Sequence, residues 1–385
     1  MKDFKDISPY EDNEVPGAIV RLIANNSFLS KFSPFFFPRI SSFLPSLGKF
    51  LFKLRFTKYF GSSKSVKDFQ QNLAPFFTKM IESTTSGFSI SGEENLTNRT
   101  TLFIGNHRDI ALDASFLNYA LHQKGLNTAR IAIGDNLLDK NFAEELMRLN
   151  KSFVVHRNIK GIKETYKKLH KLSSYIYKSI VEDSENIWIA QREGRASDGN
   201  DLSDAAVLKM LFLSNRKKMK IKEWLKKVNL TPVVISYEFD PLDVIKRQGN
   251  RNLVELEKKE KNERDISDLI NGIAGYKGGV HLHICKPVLN EISTFDELVV
   301  KINDSIQGNY KLWPSNYFAV NELSKMDKSY EPYIEANLDT YKSSQFMNRF
   351  NDFKDEKLQE TLRTYARPVI NLSLIHISEP TRPGI

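Results

Sequence analysis

The hydrophobic positions of this chain follow two patterns, short apolar runs and longer amphipathic stretches. Apolar runs that end at glycine or at polar residues predict buried strands, and apolar residues spaced three or four apart predict helices. Predicted strands are 101–104, 129–133, 151–157, 186–190, 230–237 and 278–287, and predicted helices are 114–122, 141–149, 160–182 and 204–213. This alternation indicates an α/β domain whose mixed, mostly parallel sheet is covered by helices on both faces.

Helical patterns flank this middle part on both sides. Helices are predicted at 16–25 and 65–83, followed by a polar connector, and helical spacing returns from residue 294. We therefore predict an N-terminal helical region (1–95), an α/β domain (96–290) and a C-terminal helical region (291–371). Residues 372–385 resemble a translated sequencing adapter, so we expect non-native sequence there and assign no function to His376.

The stretch from Phe28 to Phe60 has an unusual composition. It contains ten Phe and six Lys or Arg, but neither Asp nor Glu, and prolines interrupt it. No apolar run in it approaches the roughly 20 residues that span a bilayer. The stretch fits a segment that lies on an anionic membrane surface, with rings in the acyl boundary and cations on the headgroups. The alternative is a helical subdomain that packs its phenylalanines on the core.

The charge of the chain indicates which partners it binds, and its cysteine content indicates its compartment. The formal net charge of +9 favours anionic partners, which include nucleic acid, an anionic membrane and phosphate-bearing substrates. We find none of the recognisable modules of nucleic-acid-binding proteins, so that class is the less favoured alternative. The single cysteine, Cys285, excludes an internal disulfide framework and suits a reducing cytoplasm, and residues 1–15 lack the apolar core of a secretory signal.

The strongest chemical signal follows the predicted strand 101–104. Gly105 closes this strand, and His107 and Asp113 then lie on one short loop. A carboxylate that binds Nδ1 of an imidazole fixes its tautomer and stabilises the imidazolium while Nε2 takes a proton from an alcohol. Asp113 could instead cap a helix that begins at Ala114, and the two roles are compatible.

The motif NHRDIALD (residues 106–113) resembles the His/Asp motif of the glycerolipid acyltransferases, which act on glycerol 3-phosphate and lysophosphatidate. In that family, the histidine deprotonates the acceptor hydroxyl and the aspartate supports it. The family usually has four residues between the two, whereas this chain has five. The resemblance implies either an inserted loop residue or a share of the partner role for Asp109, and it implies that Arg108 binds substrate.

A second motif, FVVHR, ends at Arg157. It resembles the family's apolar strand that terminates in an arginine on the acceptor phosphate. A guanidinium suits this role because its planar fork meets phosphate oxygens in pairs. His156 alternates to the other side of the strand, where we expect packing or surface exposure and not catalysis.

A third motif lies in the loop 191–201, after the predicted strand 186–190. It resembles the family's Glu-Gly-Arg loop, which helps to bind the acceptor's glycerol and phosphate. The resemblance implies that Glu193 accepts from a hydroxyl, that Gly194 allows close backbone approach, and that Arg192 or Arg195 holds phosphate. Arg195 directly follows the glycine, where the family usually has a small residue between, so the matching arginine stays open. A flexible surface loop is the alternative reading.

The last two strands complete the domain. Pro232 opens a strand that resembles the family's fourth motif, which lines the acyl-donor side. His281 and His283 share one face of the final strand, but no cysteine or carboxylate completes a ligand set, so we predict no metal site.

Four motifs in the family's order over residues 95–290 imply an O-acyltransferase of phospholipid synthesis. The implied donor is an acyl thioester on coenzyme A or acyl carrier protein, and the implied acceptor is glycerol 3-phosphate or its 1-acyl derivative. No cofactor beyond the co-substrate is implied. We expect a peripheral protein on the cytoplasmic side of a membrane. The main alternative is a catalytically silent lipid-binding or scaffold protein that keeps the same fold.

Overall fold

The computed structural model of the chain describes residues 4–135, 142–157, 159–196, 198–248, 258–289 and 292–378. These residues form a seven-stranded mixed sheet with helices on both faces, preceded by a phenylalanine-rich helical region. The predicted fold class is therefore confirmed.

The seven strands lie in the spatial order β1-β7-β6-β2-β5-β3-β4. Their bounds are β1 Gly87–Ser91, β2 Leu102–Gly105, β3 Arg130–Gly134, β4 Ser152–Val155, β5 Ile187–Ala190, β6 Thr231–Tyr237 and β7 Gly279–Ile284. Strands β2 to β6 run parallel to one another, and β7 pairs with β6 in the antiparallel sense. The carboxyl ends of five strands therefore meet at one edge of the sheet, where ligands of α/β proteins usually bind.

Sixteen helices are found in the described residues. Those before or within the sheet region are α1 Val15–Ala24, α2 Asn26–Phe36, α3 Pro38–Phe43, α4 Pro45–Phe60, α5 Val66–Thr84, α6 Leu112–Gln123, α7 Phe142–Leu149, α8 Ile162–Val181, α9 Ala205–Phe212, α10 Ile221–Val228, α11 Asp243–Gln248 and α12 Lys258–Ala274. The later ones are α13 Phe295–Gly308, α14 Pro314–Ser324, α15 Thr340–Asn348 and α16 Asp355–Ser378.

Two apolar clusters fill the two faces of the sheet. Residues of α8, α9, α10 and α13 pack with Leu102 and Ile104 of β2 on one face. Residues of α5 and α6 pack with Phe103 on the other face. Successive β2 side chains point to opposite faces, so both faces bury apolar residues, as expected for a sheet whose strands read as continuous apolar runs.

Strand β1 and helix α10 are among the elements that the sequence does not predict. The connector before β2 contains β1, which pairs with β7 at the sheet edge; only Phe88 and Ile90 in it are apolar, too few to give a strand signal. This strand precedes the predicted domain boundary at residue 96. The basic run after α9 contains α10, which exposes its lysines but buries Trp224. Residues 215–227 contain seven Lys or Arg and only four apolar residues, so their composition hides the apolar face of this short helix.

The N-terminal helices use their phenylalanines in two ways. One set, Phe28, Phe52, Phe56 and Phe60, is buried in a cluster with α1, α5 and α7. A second set, which we call the exposed ridge, consists of Phe43, Leu44, Leu47, Phe50 and Leu54, each more than 40 % exposed. Packing on the core therefore explains only part of this composition. None of the helices in the described ranges combines the length and hydrophobicity needed to cross a bilayer.

The C-terminal helices form a cluster of their own. Helices α14, α15 and α16 pack around Phe346, Phe350 and Tyr365. Helix α16 continues to Ser378, so it includes the first part of the segment 372–385, while residues 379–385 lie outside the described residues.

Candidate active site

The loop after β2 is fixed by Asn106, which is buried. Its side-chain Oδ1 accepts the N–H of Ile235 in β6, and its Nδ2 donates to the carbonyl of the same residue, both at 2.9 Å. The next residue, His107, is thereby held beyond the carboxyl end of β2. Its ring meets the indole of Trp188 edge to face, with centroids 5.9 Å apart.

His107 and Asp113 form a hydrogen-bonded pair. Nδ1 of His107 lies 3.0 Å from Oδ2 of Asp113. The same oxygen accepts the backbone N–H groups of Arg108 (2.7 Å) and Asp109 (3.0 Å), and Oδ1 accepts the hydroxyl of Tyr237 (2.8 Å). These donors suit an ionised carboxylate, which only accepts hydrogen bonds. The pair therefore engages Nδ1 of His107, and Nε2 has no hydrogen bond to another described residue.

Tyr237, the last residue of β6, is buried behind this pair. Burial and the carboxylates of Asp113 and Asp109 raise the pKa of Tyr237 well above its usual range. The phenol therefore stays protonated and keeps donating to Asp113.

Asp109, between His107 and Asp113, contacts the start of α6. Its Oδ1 accepts the N–H groups of Ala111 and Leu112, both at 2.9 Å, where α6 begins. Asp113 lies inside the first turn of α6 and not at its N-cap, because the helix begins two residues earlier than predicted. The capping alternative for Asp113 is therefore wrong, because the N-cap residue of α6 is Ala111, and Asp109 accepts the N–H groups of this residue and the next one. The catalytic roles of both carboxylates stay predictions.

Arg108 is buried and pairs with a carboxylate of the loop after β5. Its Nη2 lies 2.5 Å from Oδ2 of Asp201, and its guanidinium lies 5.4 Å from the ring centroid of Tyr310. Burial raises the pKa of Asp201 despite the lowering effect of Arg108. The contacts support a structural ion pair for Arg108, and its predicted role in substrate binding stays a prediction.

The structure brings together two other residues that are predicted to bind substrate. Nε of Arg157 lies 3.3 Å from Oε1 of Glu193, and both side chains are solvent-accessible. Beside them, the backbone N–H of Arg157 and Nδ1 of His156 both approach the carboxylate of Asp135, at 3.2 and 3.3 Å. His156 is thus held next to the sheet edge by Asp135.

The loop after β5 runs directly beside the histidine. Ala196 donates its N–H to the carbonyl of His107 (2.7 Å), and Gly194 has a φ of +78°, a left-handed conformation that favours glycine. The two arginines of the loop differ in their partners. Arg192 approaches Asp198 (3.6 Å), whereas Nη2 of Arg195 lies 2.7 Å from Oδ2 of Asp268 in α12.

His281 and His283 lie away from these residues on β7. The hydroxyl of Ser91 lies between them, 2.8 Å from Nε2 of His281 and 2.7 Å from Nδ1 of His283. Burial, with a contribution from Lys311, lowers the pKa of His281 to about 4, so its imidazole is neutral near neutral pH.

A small cavity lies behind the site, between the α/β domain and the C-terminal helices. Its volume is about 30 Å³, and Arg108, Tyr237, Tyr310, Asp243 and Tyr365 contribute to its wall. That volume suits a water molecule and not a substrate.

Sequence reasoning missed four residues that surround the predicted site: Trp188, Asp201, Tyr237 and Asp268. Asp201 and Tyr237 stood within motifs already singled out, as the loop 191–201 and the strand that Pro232 opens. Asp268 lay in a densely charged segment with no local signal, and only the fold brings it near Arg195.

The family comparison covers the part of the chain that carries the first three motifs. Residues 87–225 match the model of the acyltransferase family. A search of functionally curated proteins returned no match. Among solved structures, the crystal structure of the 1-acyl-sn-glycerophosphate (LPA) acyltransferase PlsC from Thermotoga maritima is similar, with 16% identity over 75% of this chain and 95% of that chain. Its TM-score of 0.34 is too low to support a conclusion by itself. The match of residues 87–225 confirms the resemblance read from the motifs: this chain carries a domain of the acyltransferase family.

Proposed function

We propose that this protein transfers a fatty acyl group from an acyl thioester to the hydroxyl of glycerol 3-phosphate or 1-acylglycerol 3-phosphate. One observation carries the proposal. A histidine whose Nδ1 is bound by a buried carboxylate lies at the ligand-binding edge of the sheet, inside the segment that matches the acyltransferase family. The choice of a phosphorylated glycerol acceptor rests on the four sequence motifs.

His107 acts as the general base of this reaction. Nε2 takes the proton of the acceptor hydroxyl while the oxygen attacks the thioester carbonyl, and Asp113 stabilises the imidazolium that forms. The tetrahedral intermediate collapses, its carbon–sulfur bond breaks, and the thiolate leaves with the proton returned by the imidazolium. The products are an ester and a free thiol, and the proposal needs no cofactor beyond the donor.

Two groups of residues suit the acceptor. Arg195 in the loop beside His107 binds the phosphate, and the Arg157–Glu193 pair offers a cation for phosphate and a carboxylate for a hydroxyl. Gly194 leaves space beside the backbone, because apart from the glycine and its chain neighbours no atom of the described residues lies within 4 Å of the position where its Cβ would be.

The exposed ridge supports a peripheral position on an anionic membrane. Its members lie on α3 and α4 or between them, in a stretch that has exposed cations such as Arg39, Lys53 and Lys58 and lacks carboxylates. Such a surface inserts apolar side chains at the acyl boundary while its cations meet headgroups. We propose the cytoplasmic side, because a chain with a single cysteine suits a reducing compartment.

A separate cationic face suits an anionic acyl donor. Residues 160–170 and 216–227 contain eleven Lys or Arg and two Glu, a net charge of +9 that equals that of the whole chain. The two segments are neighbours, since the guanidinium of Arg216 lies 5.5 Å from the ring centroid of Tyr166. Coenzyme A and acyl carrier protein are both anionic, so this face favours either as the donor's carrier.

The decisive experiment is a donor-by-acceptor assay. Purified protein is incubated with anionic vesicles, acyl-CoA or acyl carrier protein thioester, and glycerol 3-phosphate, 1-acylglycerol 3-phosphate or glycerol, and acylated product is measured by mass spectrometry. We expect product with a phosphorylated acceptor and its loss in His107→Ala. No product in any combination, with a folded protein, would favour the silent scaffold alternative.

A further inference from the structure

Helix α12 contributes to the site from outside the segment that matches the acyltransferase family. It spans Lys258–Ala274, well beyond residue 225, and presents Asp268 and Gly272 to the site. These two positions are one helical turn apart, so they lie on the same side of the helix.

Asp268 holds Arg195 by one of its two terminal nitrogens. The Asp268 side chain is 3% exposed, and its Oδ2 lies 2.7 Å from Nη2 of Arg195. A charge-assisted bond from a buried carboxylate fixes the guanidinium more firmly than a bond at the surface, where water competes for both partners.

The other terminal nitrogen of Arg195 has unused hydrogen-bonding capacity. Nη1 is buried and has no hydrogen-bond partner among the residues that the structure describes. A buried donor of this kind is costly unless an acceptor reaches it, and a phosphate oxygen that arrives with substrate is such an acceptor. Neighbouring Ala196 donates its N–H to the His107 carbonyl, so the backbone next to Arg195 runs beside the loop that carries the proposed base.

The position of α12 relative to the His107 loop is tightly constrained. A Cβ at Gly272 would lie 2.3 Å from Oδ2 of Asp109, whose other oxygen is held by the N–H groups of Ala111 and Leu112, so glycine allows this approach without displacing that side chain. Ile266 and Ile270 pack into the N-terminal helical cluster, while Ile273 packs against the cluster of α6. Because the helix is held on both sides, it presents Asp268 at a fixed point.

We propose that Asp268 is a positioning residue that orients Arg195 toward the phosphate of the acceptor. This inference rests on the proposed function and deepens it, because it makes recognition of a phosphorylated acceptor depend on a residue beyond the matched family segment. Asp268 acts only through Arg195 and touches neither substrate nor the reacting atoms.

The test compares four variants for acylation of 1-acylglycerol 3-phosphate and of 1-acylglycerol, which lacks the phosphate. The variants are Asp268→Asn, Arg195→Ala, the double variant, and Asp296→Asn, a control that removes an exposed carboxylate from the first turn of α13. Asp268→Asn should raise the KM for the phosphorylated acceptor by about tenfold while kcat and the donor KM change little. The control should match the wild type.

The double variant separates positioning from general structural damage. If Asp268 works through Arg195, adding Asp268→Asn to Arg195→Ala costs nothing further. Three results would each overturn the inference. The first is that the losses of the two single variants add in the double variant, and the second is an unchanged KM in Asp268→Asn. The third is a lower KM in Asp268→Asn, which would mark Asp268 as a competitor of phosphate. Melting temperatures are measured throughout. Asp268→Glu, which keeps the charge but moves the carboxylate by one methylene, should raise the same KM if the asparagine variant fails to fold.

The outcomes also separate this inference from the proposed function. A wild-type protein that acylates neither acceptor contradicts the proposed function. In a second outcome, the wild type prefers the phosphorylated acceptor, with the preference lost in Arg195→Ala and kept in Asp268→Asn. That result contradicts only the role of Asp268. Calorimetric titration with glycerol 3-phosphate gives a second measurement, in which Asp268→Asn should bind about tenfold more weakly than the control.

Discussion

The substitution Asp113→Asn removes one charge from the proposed catalytic pair and almost nothing else. Oδ2 of Asp113 accepts two backbone N–H groups, from Arg108 and Asp109, as well as facing Nδ1 of His107. An asparagine must place its carbonyl oxygen there, because its NH₂ group would face two donors. Its NH₂ group then lies at the hydroxyl of Tyr237, which can rotate to accept. The histidine tautomer and the loop are therefore preserved.

The expected loss follows from the charge alone. A carboxylate and an imidazolium with charge centres about 4 Å apart attract by about 4 kcal/mol at an effective dielectric constant of about 20. Each 1.4 kcal/mol or so of lost transition-state stabilisation lowers the rate about tenfold. Asp113→Asn should therefore lower kcat by roughly 10³-fold, within the range of about 10²–10⁴ for positioned acid–base catalysis.

The assay follows thiol release from the acyl thioester in the presence of acceptor, with circular dichroism to check the fold. Asp109→Asn is the matched control. The carbonyl oxygen of asparagine can accept the N–H groups of Ala111 and Leu112 as Oδ1 of Asp109 does, so this variant should lose less than about tenfold. An Asp113→Asn enzyme within tenfold of the wild type, or a larger loss in Asp109→Asn, would refute the assignment of Asp113 as the partner of His107.

Three further perturbations test other parts of the structure. Phe43→Ser combined with Phe50→Ser should reduce sedimentation with anionic vesicles, while the exposed control Tyr341→Ser should not; equal binding in both would exclude the ridge as the contact. Tyr237→Phe should lower kcat about tenfold, because the carboxylate of the proposed pair loses one donor; an unchanged kcat would show that this bond is dispensable. The pKa of His281 is lowered from 6.5 to about 4 in the folded protein. Between these two pH values the unfolded chain binds a proton at this histidine and the folded chain does not, so acidification from pH 6.5 to 4 should destabilise the fold. Chemical denaturation of His281→Gln should show a weaker loss over that interval, and an identical loss would assign the effect elsewhere.

The sequence by itself determined the fold class and the proposed catalytic histidine. Six strands were found because each is a short, apolar run with a polar or glycine boundary, and such a run is readable without knowing its neighbours. Strand β1 was missed because an edge strand with two apolar residues has no such signal. The His107–Asp113 pair was found because the two residues are six positions apart on one loop.

Only the tertiary structure showed which distant tyrosine and carboxylate contact the residues of the proposed site. Tyr237 reaches Asp113 across 124 positions, and Asp268 reaches Arg195 across 73, so no local pattern could link them. It likewise separated the phenylalanines that pack in the core from the ridge that stays exposed. Local propensity and hydrophobic spacing act over a few residues, whereas partner choice and burial depend on which strands and helices the fold brings together.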